Sequence, residues 1–195
     1  MVIGFDFDKV FIDYPPLVPY SFVDFLYKGS SVFKKNSEKS SNLHYRFPGT
    51  IEQKLRISTH FPLFRRPIKR NISALKAISS PHTTKTYLVS SRFGFLRKRT
   101  EVLLDKYKLR KYFDGIYFNY KNQQPHVFKE QTIRSLKIDT YVDDDLDLAL
   151  YLSKKIPDIT IYWIKNSNQN KFDLPPNIIP ISDLHDFKKF IKNGQ

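Results

Sequence analysis

The sequence predicts an α/β fold: a three-layer, Rossmann-like parallel sheet with a small, mostly helical cap inserted after the first strand. Three observations carry this expectation. Short β-branched and aromatic runs alternate with longer stretches whose apolar residues recur at helical spacing. Three of the strand runs end in polar residues, Asp6/Asp8, Ser90/Ser91 and Asp143/Asp144. In a parallel sheet such ends share one rim, where ligands gather. The alternation also breaks once, over residues 14–67, where prolines and a Ser/Lys/Asn-rich patch replace the regular pattern.

The elements follow in order. Val2-Ile3-Gly4-Phe5 reads as a short buried strand ended by the acids. Within the insertion, 21–27 and 51–61 read as short helices and 29–46 as irregular chain, the latter from its polar, Lys-rich composition. After Pro67, Ile72, Leu75 and Ile78 mark the inner face of a helix over 68–78. Residues 86–89 form a strand that stops at Ser90-Ser91-Arg92. Leu96, Thr100, Leu103 and Tyr107 then follow a helical stripe. Residues 116–118 read as a strand, 127–136 as a helix and 140–142 as a strand ending in three acids. The helix over 146–155 has acids at its start and lysines at its end, the polarity a helix dipole favours. A strand over 159–164 and a helix over 183–191, with Ser182 as its N-cap, complete the chain.

At 195 residues the chain accommodates one domain with a small insertion. The absence of cysteine excludes disulfides, thiolate metal sites and cysteine nucleophiles. No apolar run approaches the roughly 20 residues that span a bilayer, and no secretory signal is evident, so the expectation is a cytoplasmic protein without a membrane partner. The net charge is +14, with eleven Lys/Arg over 28–70 against Glu38 and Glu52, and eight more over 92–111 against Glu101 and Asp105. Such a balance fits phosphorylated or nucleic-acid partners. The five histidines, His44, His60, His82, His126 and His185, have no metal-ligand spacing.

Asp6 and Asp8, one residue apart, repel each other unless a cation or a proton sits between them. A carboxylate is ionised at neutral pH and attacks without a base, provided that the repulsion of an anionic substrate is cancelled. A hard divalent ion held by oxygen ligands does this.

Taken together, these strand ends resemble the haloacid dehalogenase superfamily of phosphohydrolases, which carries four short motifs at strand ends. Ile3-Gly4-Phe5-Asp6-Phe7-Asp8 is similar to the first, Tyr87-Leu88-Val89-Ser90 to the second, Lys129 to the third and Thr140-Tyr141-Val142-Asp143-Asp144 to the fourth. Lys121 is the rival for the third. The resemblance covers about residues 1–13 and 68–165, and implies a catalytic core of 1–13 and 68–195 with a cap of 14–67. It implies a Mg2+-dependent phosphatase in which Asp6 is the nucleophile and forms a phosphoaspartyl intermediate. Asp8 would protonate the leaving oxygen and then activate water, its backbone carbonyl touching the metal. Ser90 and Lys129 would bind the transferring phosphoryl group, and Asp143 and Asp144 would complete the metal shell. Ser91 and Arg92 resemble 5′-nucleotidase-like members, which makes a nucleoside monophosphate the leading substrate. Lys9 stands where the family commonly has a small residue, a long cation able to reach substrate phosphate. Aromatics such as Phe22, Phe25, Tyr27, Tyr45 and Phe47 would pack the cap or stack on a base. The alternative function is nucleic-acid binding or end-processing by a basic cap on the same fold.

Overall fold

The computed structural model describes residues 1–14, 43–80, 83–165 and 173–193. The helix expected over 21–27, most of the irregular stretch, Phe22, Phe25, Tyr27 and His82 lie outside these residues. Six strands form one sheet: β1 (Val2–Phe5), β2 (Lys85–Ser90), β3 (Gly115–Phe118), β4 (Thr140–Asp143), β5 (Thr160–Ile164) and β6 (Ile178–Ile181). Their spatial order is β3-β2-β1-β4-β5-β6, and every pair is parallel.

Parallel strands need crossovers, and helices supply them on both faces. On one face α2 (Lys69–Ile78), α3 (Arg97–Lys106) and α6 (Leu184–Asn193) contribute Leu75, Leu103 and Phe187 to a core with Ile3, Phe5, Leu88 and Val142. On the other, α4 (Pro125–Ser135) and α5 (Leu146–Lys155) contribute Ile133, Ala149 and Leu152 to a core with Val89, Tyr141, Ile161 and Trp163. Gly4 sits where an added side chain would force its neighbours to shift: a Cβ there would come within 2.7 Å of Tyr141 Cδ2 and 2.9 Å of Ile138 Cδ1.

Two expectations need correction. The sheet has a sixth strand, β6, at its edge, where Pro180 is tolerated because an edge strand spares one N–H from the ladder. The cap of α6 is Asp183 rather than Ser182: its carboxylate accepts the N–H groups of His185 (2.8 Å) and Asp186 (3.3 Å).

Within the insertion, α1 (Thr50–Thr59) docks on α3 through Arg99, whose guanidinium lies 3.4 Å from the Phe61 ring centre and donates to the Ile57 carbonyl. The end of the insertion is tied to the loop after β1. Asp13 N–H donates to Arg66 and Ile68 N–H to Phe11, each at 2.8 Å. Among the described residues no helix is long and apolar enough to cross a membrane.

Candidate active site

The strand order reverses at β1, which lies between β2 and β4, and ligands of open α/β sheets bind beyond the strand ends at such a switch point. Phe5 pairs with Leu88 and Val142, so the next residue, Asp6, emerges level with Val89 and Asp143. Its own N–H donates to the Val142 carbonyl at 2.9 Å, which fixes it at the rim. Asp6, Asp143 and Asp144 are all buried and bring a carboxylate oxygen each within 4.8 Å of one another.

Among the described residues, one cation enters this group. Lys129, projecting from α4 and 2% exposed, places its Nζ 2.9 Å from Asp6 Oδ1 and 2.7 Å from Asp143 Oδ2. Burial alone would lower the lysine pKa, but Asp143 and Asp6 outweigh it and hold the ammonium well above its ordinary range. Lys121 is exposed in the turn after β3. Asp143 is committed on both oxygens, since Oδ1 also accepts the N–H of Asp145 at 3.0 Å. Three carboxylates against one ammonium leave an excess of two negative charges. Accordingly the Asp6 carboxyl is pushed up to about 6, by burial first, with Asp143 adding and Lys129 opposing. Asp144 is raised well above the carboxylate range by burial, then by Asp143 and Asp6. A buried, all-oxygen donor set with uncompensated negative charge fits a hard divalent cation.

The Asp8 side chain stands outside that group of three and is gripped by two buried guanidiniums. Arg92 donates from Nε to Oδ2 and from Nη2 to Oδ1, both at 2.7 Å, and Arg65 Nη2 donates to Oδ1. The Asp8 backbone carbonyl accepts Val10 N–H at 2.7 Å, which uses one of its two lone pairs. Arg92 further donates to Thr100 Oγ1 at 3.1 Å and stacks over Phe7 at 4.5 Å, so it is placed by Asp8 and the core. Lys9 has φ 57° and turns its ammonium to Asp13, 2.5 Å away, and over Tyr14. Ser90 is buried at the end of β2, one residue beyond the level of Asp6, while Ser91 is half-buried beside it.

Two contributors were not legible in the sequence. Arg65 lies in a loop of the insertion, one of many basic residues there, and nothing in its neighbours marks it as the partner of Asp8. Tyr45 donates its hydroxyl to Asp145 at 2.8 Å, and its backbone exchanges hydrogen bonds with the Gln124 side chain. Asp145 also caps α5, accepting from Asp147 and Leu148 N–H. Phe47 meets Phe93 with ring centres 5.0 Å apart, next to Arg92 in the chain. Of the histidines, His60 is buried and held neutral, its pKa lowered to about 3 by burial, with Arg92 adding to the effect.

No protein-family model matches the sequence, and neither does any curated protein. Solved structures do. A haloacid dehalogenase-like family hydrolase from Xanthomonas campestris is 12% identical over 98% of this chain and 94% of its own, with a TM-score of 0.58. The L-2-haloacid dehalogenase from Xanthobacter autotrophicus is 9% identical over 98% of both chains, with a TM-score of 0.56. A chain of the Pnkp1/Rnl/Hen1 RNA repair complex is 12% identical over 86% of this chain and 43% of its own, with a TM-score of 0.51. At such identities the likeness is one of architecture: this chain has the fold of the haloacid dehalogenase-like hydrolases.

Proposed function

We propose that the chain is a haloacid dehalogenase-type phosphohydrolase that cleaves a phosphomonoester through a phosphoaspartyl intermediate on Asp6, with residues 14–67 acting as its cap. The observation that carries this reading is the buried group of Asp6, Asp143 and Asp144 around Lys129, at the switch point of a sheet with that architecture. Asp6, Asp143, Asp144 and the Asp8 carbonyl would hold Mg2+. When bound, the ion supplies charge neutralisation between the carboxylates and the substrate phosphate.

The residues divide the work. An Asp6 oxygen attacks phosphorus as the bond to the leaving oxygen breaks, and a proton passes from Asp8 to that oxygen. Water then attacks phosphorus, gives its proton to Asp8, and releases phosphate and Asp6. Ser90 and Lys129 donate to the phosphoryl oxygens where negative charge collects, and Lys129 keeps Asp6 anchored as it does so. A nucleoside monophosphate is the leading substrate, with the Phe47 and Phe93 rings as a surface for a base.

The test is phosphate release from a panel of phosphomonoesters with magnesium. The wild type is active, chelation abolishes the activity, and Asp6→Asn lowers it by at least roughly a thousandfold. A mutant as active as the wild type would remove Asp6 from its role.

A second reading, a phosphate at the end of a nucleic acid, draws on the basic surface. Lys98, Lys106, Lys108 and Lys111 have no carboxylate partner among the described residues, and the fold resembles part of a chain of an RNA repair complex. Affinity for single-stranded RNA or DNA that falls steeply with salt would favour it, and absence of binding would exclude it.

A further inference from the structure

We infer that Arg65, a residue of the insertion, is a positioning residue for Asp8 that selects which Asp8 oxygen exchanges a proton with substrate. The inference rests on the phosphatase reading given above. A carboxylate offers two lone pairs on each oxygen. Oδ1 of Asp8 accepts from Arg92 Nη2 and from Arg65 Nη2, which fills it, whereas Oδ2 accepts from Arg92 Nε and keeps one lone pair. Arg92 alone would fix the plane of the carboxylate but leave both oxygens equally able to take a proton. Arg65 breaks that symmetry and leaves Oδ2 as the working atom.

The protein spends stability to keep Arg65 there. The residue is 1% exposed, and its Nε is buried without a hydrogen-bond partner among the described residues. A buried guanidinium sharing one carboxylate with another guanidinium is a poor stabilising element, because desolvation outweighs much of the attraction. Its backbone is nevertheless held firmly. Tyr107 Oη donates to the Arg65 carbonyl at 2.9 Å and approaches that of Pro62 at 3.1 Å, and the neighbouring Arg66 carbonyl accepts Asp13 N–H. A costly side chain on a fixed backbone, aimed at one oxygen of a catalytic acid, is organised for function.

The experiment compares two substrates that differ in their need for a proton: a nucleoside monophosphate, with an alkoxide leaving group, and p-nitrophenyl phosphate, whose leaving group departs unprotonated. Arg65→Met is expected to lower kcat on the first by roughly 10- to 100-fold, up to the lower end of general acid–base effects because Asp8 itself remains, with KM within about threefold, and to change the second by less than about threefold. Asp8→Asn shows the same split, and Arg65→Met adds nothing to it in the double variant. Arg65→Lys recovers part of the loss, because a single nitrogen of Arg65 reaches Asp8. Tyr107→Phe, which leaves the guanidinium and loosens its backbone, shows a smaller loss with the same split and covers the case in which Arg65→Met does not fold. An active wild type whose variants lose both substrates equally, or whose Arg65 and Asp8 losses multiply, overturns the inference and leaves the phosphatase reading standing. A wild type inactive on both substrates removes that reading and the inference with it.

Discussion

Lys129→Met tests the charge balance of the site directly. The substitution keeps a chain of similar length and deletes the ammonium that lies 2.9 Å from Asp6 and 2.7 Å from Asp143. Three buried carboxyl groups then face one another with no cation. Removing one partner of a buried ion pair costs about 3–5 kcal/mol, and for a chain of this size each kcal/mol moves Tm by roughly 2–4 °C. The metal-free variant should therefore melt roughly 6–20 °C below the wild type at alkaline pH. The pH dependence has a definite sign. A carboxyl whose folded-state pKa is raised, as Asp6 is from 3.8 to about 6, contributes stability below its unfolded value and loses it as pH rises through the folded value. The gap between variant and wild type should thus widen from about pH 5 to pH 8, because protons neutralise the acids at the low end. Magnesium should narrow it at pH 8 and bind the variant more tightly, since the site charge falls from −2 to −3. Thermal melts by circular dichroism in chelator and in millimolar magnesium measure all of this. A variant that melts with the wild type in chelator at pH 8, or a gap independent of pH, refutes the reasoning.

Two further outcomes follow from the packing. His60 is held neutral at about 3 against an ordinary 6.5, so its contribution is complete above about pH 6.5 and drains away as pH falls, by up to roughly 5 kcal/mol at 1.36 per unit. His60→Gln should flatten the acid limb of stability measured by urea unfolding against pH, and an unchanged limb would contradict this. Gly4→Ala drives a Cβ to within 2.7 Å of a Tyr141 ring whose hydroxyl is pinned to the Val89 carbonyl at 2.8 Å. The cost should be about 1–3 kcal/mol, read as a lowered midpoint, and an unchanged midpoint would show that the ring yields.

The parallel core was legible because buried strands and amphipathic helices differ in period and length, and because polar strand ends mark one rim. Strand β6 escaped notice because its four residues include Pro180, and a proline demotes a strand unless the sheet's edge is already known. The pairing of Lys129 with Asp6 and Asp143 was reachable from chain order, but its choice over Lys121 needed the helix face. Asp8 shows the opposite case. Its spacing from Asp6 marks it, yet the partners that hold it, Arg65 and Arg92, lie 57 and 84 residues away, a relation no local pattern encodes. The basic excess was similarly ambiguous. Part of it is spent inside the molecule, on Asp8 and, through Arg46 and Arg56, on Glu52, which charge counting cannot separate from a surface field.

Among the described residues, the insertion is fastened to the machinery of the core at two points, by Arg65 on Asp8 and by Tyr45 on Asp145 and Gln124. Cutting residues 14–67 out, or exchanging them for the equivalent piece of another protein, would take from Asp8 one of its two guanidinium partners and unfasten the entry to the helix that carries Lys129. Chimeras designed to alter selectivity should therefore keep Tyr45 and Arg65 whatever else of 14–67 they replace.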